Sequence, residues 1–229
     1  MVVLVTGAAK GIGRDVARQL VDRGETVIVS ARDAARAQTV AGELGAAALT
    51  LDVTDGASVA AAVAQLDELD VLINNAAAFV DWAEMGSAAD LDTARAVLDT
   101  NLLGTWRVTQ AVLPLLRRSA HPRIVMVSSG GGSHGDEQFG LTRRGGAAAT
   151  YGISKAALNA LTATLAAELA DTPILVNAVC PGLTATWPGA EAMGARPVAD
   201  GAASVVWAAT LPDDGPRCGF FRDGEPLAW

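Results

Sequence analysis

The sequence predicts an α/β fold in which one doubly wound parallel sheet of about seven strands carries helices on both faces. Short β-branched runs alternate with alanine-rich amphipathic segments along the whole chain. The strands are continuously apolar, as in Ile124-Val125-Met126-Val127, which is typical of parallel strands buried on both faces. No internal repeat or linker interrupts the 229 residues, so we expect one domain over residues 1–229.

The elements follow one another in a regular order. We predict strands at residues 2–5, 26–30, 47–51, 71–74, 124–128, 175–179 and near 219–221. We predict helices at residues 12–23, 34–44, 56–66, 90–116 (long enough to be broken), 150–170 and 198–210. Two glycine-containing segments, 130–146 and 183–197, interrupt this order and follow strands, where open α/β sheets bind ligands. They are either mobile lids or ordinary surface loops.

Composition argues against several classes of function. The mean hydropathy is +0.31, but no apolar run reaches the roughly 20 residues that span a bilayer, so we expect no membrane partner. The opening apolar run, residues 1–5, is too short for a signal peptide. The chain has two cysteines, Cys180 and Cys218, which are too few for a disulfide framework, so we expect a reducing cytoplasm. The net charge of −8 and the lack of a basic cluster make nucleic acid an unexpected partner. His121 and His134 are isolated, so no metal site is expected.

A glycine-rich segment follows the first strand and opens the first helix. It reads Thr6-Gly7-Ala8-Ala9-Lys10-Gly11-Ile12-Gly13. Gly7 permits a tight turn, while Gly11 and Gly13 let backbone N–H groups and the helix N-terminus approach a pyrophosphate. Because strand, glycines and helix occur in this order, we predict a dinucleotide site.

The end of the second strand favours NADP(H) over NAD(H). NAD sites of this design usually place an acid there for the ribose 2′-hydroxyl, but Ala31 stands at that position. Arg32 can clamp a 2′-phosphate through paired N–H donors, and Lys10 can reach the same phosphate. Alternatively, Arg32 pairs with Asp33 or with solvent, and Asp33 takes the hydroxyl.

Two further strand ends contribute candidate cofactor-binding residues. Asp52, in Leu51-Asp52-Val53, either accepts a hydrogen bond from the adenine amino group or caps the next helix. Val53 lies beside it in the same candidate site. Asn74-Asn75-Ala76 ends the fourth strand, next to the expected position of the adenosine ribose.

Tyr151 and Lys155 form the most informative pair in the chain. Residues four apart lie on one face of a helix, one turn from each other. An ammonium beside a phenol favours phenolate and lowers the pKa of the tyrosine. We therefore predict that Lys155 makes Tyr151 a proton donor or acceptor near neutral pH.

As a set in this order, the motifs resemble those of the short-chain dehydrogenase/reductases over essentially the whole chain. The matched positions are Thr6–Gly13, Asn74-Asn75-Ala76, Asn101, Ser129, Tyr151, Lys155 and Pro181-Gly182. Within the family, the chain is most similar to the NADPH-dependent carbonyl reductases. The resemblance implies a Rossmann-type domain that binds NADP(H) and a small carbonyl compound.

The resemblance also implies roles for individual residues. Tyr151 resembles the acid that protonates the alkoxide oxygen, and Lys155 the cation that binds the ribose and lowers the pKa of Tyr151. Ser129 resembles the donor that polarises the carbonyl. Asn101 resembles the asparagine that holds a proton-relay water near Lys155. The resemblance also implies cofactor contacts from Pro181, Gly182, Thr184 and Thr186. The chain departs from the family at Ala77, where other members usually have glycine.

These observations predict an NADPH-dependent reductase of ketones or aldehydes, with alcohol oxidation as its reverse. Two alternatives remain: an NAD-dependent alcohol dehydrogenase, and a non-catalytic NADP(H)-binding sensor on the same fold. Trp82, Phe139 and Trp187 are candidates for a substrate wall, although each is equally compatible with plain packing.

Relatives of ordinary length commonly form dimers or tetramers through two long helices, here residues 102–116 and 150–170. The second carries small side chains that allow close helix approach, namely Ala156, Ala157, Ala160, Ala163, Ala166 and Ala167. We expect a homo-oligomer. Alternatively these alanines pack on the chain's own sheet, or the long segment before Tyr151 covers this face and leaves a monomer.

Overall fold

A computed structural model describes all 229 residues. The strands are β1 (Val2–Val5), β2 (Thr26–Ala31), β3 (Ala47–Thr50), β4 (Val71–Asn74), β5 (Arg123–Val127), β6 (Leu175–Val179), β7 (Phe220–Arg222) and β8 (Glu225–Pro226). The α-helices are α1 (Gly11–Asp22), α2 (Ala34–Leu44), α3 (Gly56–Val63), α4 (Leu91–Leu98), α5 (Thr105–Leu116), α6 (Ala149–Glu168) and α7 (Val198–Ala209).

All strands belong to one sheet, in the order β3-β2-β1-β4-β5-β6-β7-β8. The first seven run parallel, and β8 is antiparallel to β7. Val5 at the end of β1 pairs with Val29 on one side and with Ile73 on the other. The strand order therefore reverses beside β1, and this reversal opens a crevice at the carboxyl ends of β1 and β4.

The continuously apolar strands are explained by a core on each side of the sheet. Leu4 and Leu72 face one cluster with α5 and α6, whereas Val5 and Ile73 face a second cluster with α1 and α7. All four side chains are at most 1% exposed. Burying each contributes roughly 1.5–3 kcal/mol relative to leaving it in water. Two covered faces confirm the predicted α/β architecture.

One element prediction needs correction. The strand prediction missed β8, which follows a tight turn at Asp223-Gly224 with φ values of 56° and 82°. The Asp-Gly pair is a hairpin signal that the sequence offered. The helix predicted at 90–116, long enough to be broken, is interrupted by a π-helical stretch at Asp99–Gly104. Such widened turns are frequent at functional sites.

Segment 130–146, for which the sequence left a mobile lid and an ordinary surface loop open, contacts the rest of the protein at several points. Its Asp136 accepts hydrogen bonds from the backbone of residues 138 and 139 and forms an ion pair with Arg222. Ser133 donates to the Ala228 carbonyl at 2.7 Å. Glycine density alone did not reveal these contacts, because their partners come from the chain's far end.

Candidate active site

A cleft opens at the carboxyl ends of β1, β4, β5 and β6, and it brings together residues from five parts of the chain. The predicted residues that line it are Ile12, Asn75, Trp82, Ser129, Phe139, Tyr151, Lys155, Pro181, Gly182, Thr184, Thr186 and Trp187. The other predicted residues lie beyond its wall, namely Gly7, Lys10, Gly11, Gly13, Arg32, Asp52, Val53, Ala76 and Asn101.

The glycine turn is locked to the end of β4. The Thr6 hydroxyl accepts hydrogen bonds from the backbone N–H groups of Asn75 and Ala76, at 2.9 and 3.0 Å. The Asn75 amide donates to the carbonyls of Thr6 and Gly7. A Cβ at Gly7 would come within 2.8 Å of the Ala76 Cα, so only glycine fits there. The Asn75 side chain thus holds the loop in place.

The glycine turn leaves an anion-binding helix end available. Helix α1 begins at Gly11, and its N-cap residue, Lys10, makes no side-chain capping bond. The N–H groups in the first turn of α1 therefore have no side-chain acceptor. They lie at the positive end of the helix dipole and can donate to a bound anion. Across from Gly11, the Thr186 side chain lies 3.4 Å from the position a Cβ would take. The free N–H donors at the start of α1 are the kind of site that binds the pyrophosphate of a dinucleotide.

Lys10 and Arg32 are exposed, and neither takes part in any ion pair of the structure. Asp33 is already engaged: it caps α2 through the Arg36 N–H and pairs with the Arg36 guanidinium at 3.4 Å. The suggested pair between Arg32 and Asp33 is therefore wrong. Both cations remain available for a phosphate, so the residues present fit NADP(H).

Asp52 does not cap a helix, which corrects one of the two alternatives for this residue. The N-cap of α3 is Asp55, whose side chain accepts from the Ala57 N–H. Asp52 instead accepts from the Thr54 backbone and hydroxyl at 2.9 and 2.7 Å, and these bonds lower the pKa of its carboxyl. The neighbouring Val53 carbonyl accepts from Arg107.

Tyr151 lies on the first turn of α6 and is only 8% exposed. Burial raises the pKa of its phenol, whereas the Ser129 hydroxyl and the positive charge of Arg144 act in the opposite direction. Lys155 does not lower it in this arrangement, so the predicted pKa effect of Lys155 is wrong here. The reason is geometric: Lys155 Nζ donates to the Val127 carbonyl at 2.8 Å and lies 5.7 Å from the Tyr151 ring centre.

Lys155 is itself strongly affected by its surroundings. The side chain is 3% exposed, and desolvation lowers the pKa of its ammonium to about 8. Its only hydrogen-bond acceptor is the Val127 carbonyl. An ammonium with spare donors at the cleft floor is available to a ribose hydroxyl.

Asn101 sits in the π-helical stretch, fully buried. Its side chain donates to the Ala78 carbonyl and to the Ser154 hydroxyl, and accepts from the Ala78 N–H. These bonds use both ends of the amide. Asn101 therefore positions the loop after β4 against α6, and its proton-relay role remains a prediction.

Three aromatic side chains form a wall beside Tyr151, and two of them contact its ring. Phe79 stacks on Tyr151 with ring centroids 5.2 Å apart, and Trp82 meets the same ring edge-on at 5.5 Å. Trp187 packs against Trp82 at 5.8 Å. Phe79 and Trp82 are 57% and 40% exposed, so the wall faces the open side of the cleft.

The loop after β6 forms the opposite wall. Thr184 is buried and donates to the backbone carbonyls of Pro181 and Gly182, which closes a tight turn. The Arg196 Nε also donates to the Pro181 carbonyl, at 2.8 Å. Thr186 follows at the cleft surface, facing the glycine turn. The arrangement presents backbone and hydroxyl groups of this loop to the cleft.

Sequence reasoning missed several residues that line this cleft, namely Ala77, Phe79, Arg144, Cys180 and Leu183. An aromatic residue shortly after the Asn75-Ala76 motif was a signal for Phe79. For Arg144 the sequence shows only a basic neighbour, Arg143, within segment 130–146. Its place beside the phenol depends on a turn between 145 and 148, where Gly145, Gly146 and Ala148 all have positive φ.

Comparisons with known proteins agree with this geometry. The short chain dehydrogenase family model matches residues 1–193. The oxidoreductase UcpA of Salmonella typhimurium is 38% identical, over 89% of this chain and 76% of its own length. The 3-oxoacyl-acyl-carrier-protein reductase FabG of Escherichia coli is 35% identical, over 81% and 74%.

A solved structure resembles nearly the whole chain. The NADPH-bound carbonyl reductase from chicken fatty liver superposes with a TM-score of 0.83, at 26% identity, over 99% of this chain and 98% of its own. Glycine turn, serine, tyrosine and lysine thus occur on the fold that the matched family shares. The chain belongs to the short-chain dehydrogenase family of oxidoreductases.

Proposed function

We propose that this oxidoreductase uses NADPH to reduce a ketone or aldehyde, and that the whole chain, residues 1–229, acts as one cofactor-binding domain. The observation that carries the proposal is one cleft that holds the reactive groups and begins at the glycine turn. Ser129, Tyr151 and Lys155 line this cleft, and so does Ile12 at the start of α1. Beyond its wall lies the uncapped N-terminus of α1, with Lys10 and Arg32 unpaired.

Each residue contributes a separate step. When bound, the cofactor supplies the hydride. Ser129 donates a hydrogen bond to the substrate carbonyl oxygen, and Tyr151 delivers its phenolic proton to that oxygen as the negative charge develops. Burial raises the pKa of the Tyr151 phenol, which is in any case protonated at neutral pH, so Tyr151 holds the proton that the reductive direction requires. Lys155 binds the ribose, and Asn101 holds the loop that carries the aromatic wall.

The preference for NADPH rests on two exposed cations and the absence of an acid at Ala31. A 2′-phosphate between Lys10 and Arg32 would gain charge-assisted hydrogen bonds that a ribose hydroxyl lacks. The chicken carbonyl reductase structure is described as NADPH-bound, which supports the same choice. Asp33, the residue that would favour NADH, is committed to α2 and Arg36.

Following NADPH absorbance with a panel of ketones and aldehydes tests the proposal directly. We expect turnover with at least one carbonyl compound and slower turnover with NADH. Binding of NADPH without turnover of any member of a broad panel would instead favour a non-catalytic sensor. Faster alcohol oxidation with NAD than carbonyl reduction with NADPH would favour the dehydrogenase alternative.

We also propose a homo-oligomer formed through α5 and α6. Leu103, Trp106 and Ile153 are each at least 40% exposed on this side of the molecule. Of the six α6 alanines, only Ala166 is buried within the chain, which argues against the alternative that all six only pack on the chain's own sheet.

No helix of the chain has the length and hydropathy to cross a bilayer. Cys180 and Cys218 are both free thiols, which supports our expectation of a cytoplasmic location.

A further inference from the structure

We propose that Arg144 recognises a carboxylate on the substrate, so that the preferred substrate is an oxo acid bearing a flat apolar group. This inference rests on the proposed reductase function and names its substrate class. Arg144 lines the catalytic cleft beside Tyr151, on the segment that precedes α6.

The guanidinium of Arg144 lacks a protein partner. Its Nε atom is buried without a hydrogen bond, and none of the ion pairs of the structure includes this residue. Leaving a charged donor buried and unsatisfied costs free energy. A ligand that supplies the acceptor removes this cost.

The charges of the cleft favour an anion. Arg144 and Lys155 are the two cations that line it, and no aspartate or glutamate does. The protein as a whole carries a net charge of −8, so the positive charge of the cleft is opposite in sign to the net charge of the protein. Lys155 is turned to the Val127 carbonyl, which leaves Arg144 as the free cation on the substrate side.

The position of Arg144 is fixed by its surroundings. Its Nη2 and Nη1 atoms lie 3.2 and 3.4 Å from where a Cβ would stand on Gly131, and the Ser129 hydroxyl lies 3.3 Å from the same point. The guanidinium and the proposed carbonyl-polarising hydroxyl of Ser129 therefore both border Gly131. The turn that follows is tied down by a β-bridge between Ala147 and Met85.

This geometry indicates a carboxylate close to the reacting carbonyl. A planar guanidinium fork matches the two oxygens of a carboxylate. With the carbonyl on Ser129 and Tyr151, the adjacent carboxylate reaches Arg144. The remaining substituent then faces the wall of Phe79, Trp82 and Trp187, which suits a flat apolar group.

A matched pair of substrates separates the role of the carboxylate from that of the carbonyl. The pair is benzoylformate and its methyl ester, each reduced with NADPH by wild type, Arg144→Met and the control Arg143→Met, an exposed neighbour. We expect Arg144→Met to lower kcat/KM for the acid roughly 10- to 100-fold, the range for losing a charge-assisted bidentate pair. The ester should change less than about threefold, and Arg143→Met should change neither. An equal loss for acid and ester would mean that Arg144 acts through Tyr151, which would overturn the inference.

A binding measurement decides the inference even without turnover. Phenylacetate and methyl phenylacetate cannot be reduced, and Trp82 and Trp187 at the cleft provide an intrinsic fluorescence signal. In the NADP-loaded protein, the acid should bind at least tenfold more tightly than the ester, and Arg144→Met should remove that difference. Equal binding in the wild type would refute the anion site. If the wild type binds the acid selectively but reduces no carbonyl compound, the reductase function fails while the anion site stands.

Discussion

The ring of Phe79 lies stacked on the ring of Tyr151, with centroids 5.2 Å apart and planes inclined by 20°. Phe79 is 57% exposed, whereas Tyr151 is 8% exposed. An exposed aromatic side chain thus shields the buried phenol from water. Because desolvation raises the pKa of Tyr151, we expect this contact to contribute to the raised pKa of the proposed proton donor.

Replacing Phe79 by alanine should lower the pKa of Tyr151. The chain contains one tyrosine, so tyrosinate absorbance reports this residue alone. At pH 10.5 we expect a larger tyrosinate fraction in folded Phe79→Ala than in folded wild type. Phe79→Leu, which keeps an apolar cover, should stay near wild type. Identical titration of all three proteins would show that Phe79 does not shield the phenol.

Tyr151→Phe should remove nearly all carbonyl reduction while leaving NADPH binding mostly intact. The ring still stacks on Phe79, and only the proton donor is lost. We expect a kcat decrease of at least 100-fold, within the range for general acid catalysis. NADPH affinity, measured by fluorescence titration, should change less than about threefold. Wild-type kcat in this variant would contradict the role of Tyr151.

Arg32→Asp should reverse part of the cofactor preference. The substitution removes a cation from the proposed 2′-phosphate site and adds an acid that can accept from a ribose hydroxyl. We expect kcat/KM for NADPH to fall roughly 10- to 100-fold and that for NADH to stay or rise. Arg117→Asp, an exposed change of equal charge at the end of α5, is the control. A loss of the same size in both variants would point to a general charge effect.

Protein stability should rise between pH 8 and pH 9.5 because of Lys155. Burial holds the folded-state pKa of the Lys155 ammonium at about 8, below the 10.5 of an exposed lysine, so the unfolded chain binds the proton more tightly. Its protonated form therefore opposes folding at low pH, and this unfavourable contribution fades as the pH rises through the window between the two values. For one group the gain is roughly 1.5 kcal/mol over these pH values.

Lys155→Met removes the titrating group and so provides the comparison. Chemical unfolding of wild type and variant at pH 8 and pH 9.5 measures the difference. The wild type should gain the stated stability relative to Lys155→Met as the pH rises. Parallel pH dependence of the two proteins would show that Lys155 has an ordinary pKa.

Light scattering at micromolar concentration tests the proposed assembly. We expect a mass that is a multiple of the 23.3 kDa chain. Ile153→Glu, which places a charge on the exposed face of α6, should shift the mass towards the monomer. Leu91→Glu adds the same charge at a more exposed site, 74% against 55%, at the start of α4, and it serves as the comparison. A wild-type mass near 23 kDa would refute the oligomer.

Local sequence patterns determined the order of the elements, the parallel sheet and the nucleotide-binding turn. Apolar strands and amphipathic helices can be predicted from patterns that extend over only a few residues. The glycines of Thr6–Gly13 shape the turn through their own backbone conformation. The helical spacing of Tyr151 and Lys155 was equally local. These features could be predicted because neighbours in the sequence carry all the necessary information.

Only the tertiary structure decided how these residues are arranged and charged. Phe79 reaches Tyr151, Arg144 reaches Gly131, and Lys155 reaches Val127 across the fold, so no local pattern reveals their contacts. The direction of each pKa shift depends on burial, which is a property of the packed molecule. The sequence therefore identified the chemical groups of the site. Packing determined the direction in which their pKa values shift and which side chains are free to bind a ligand in the cleft.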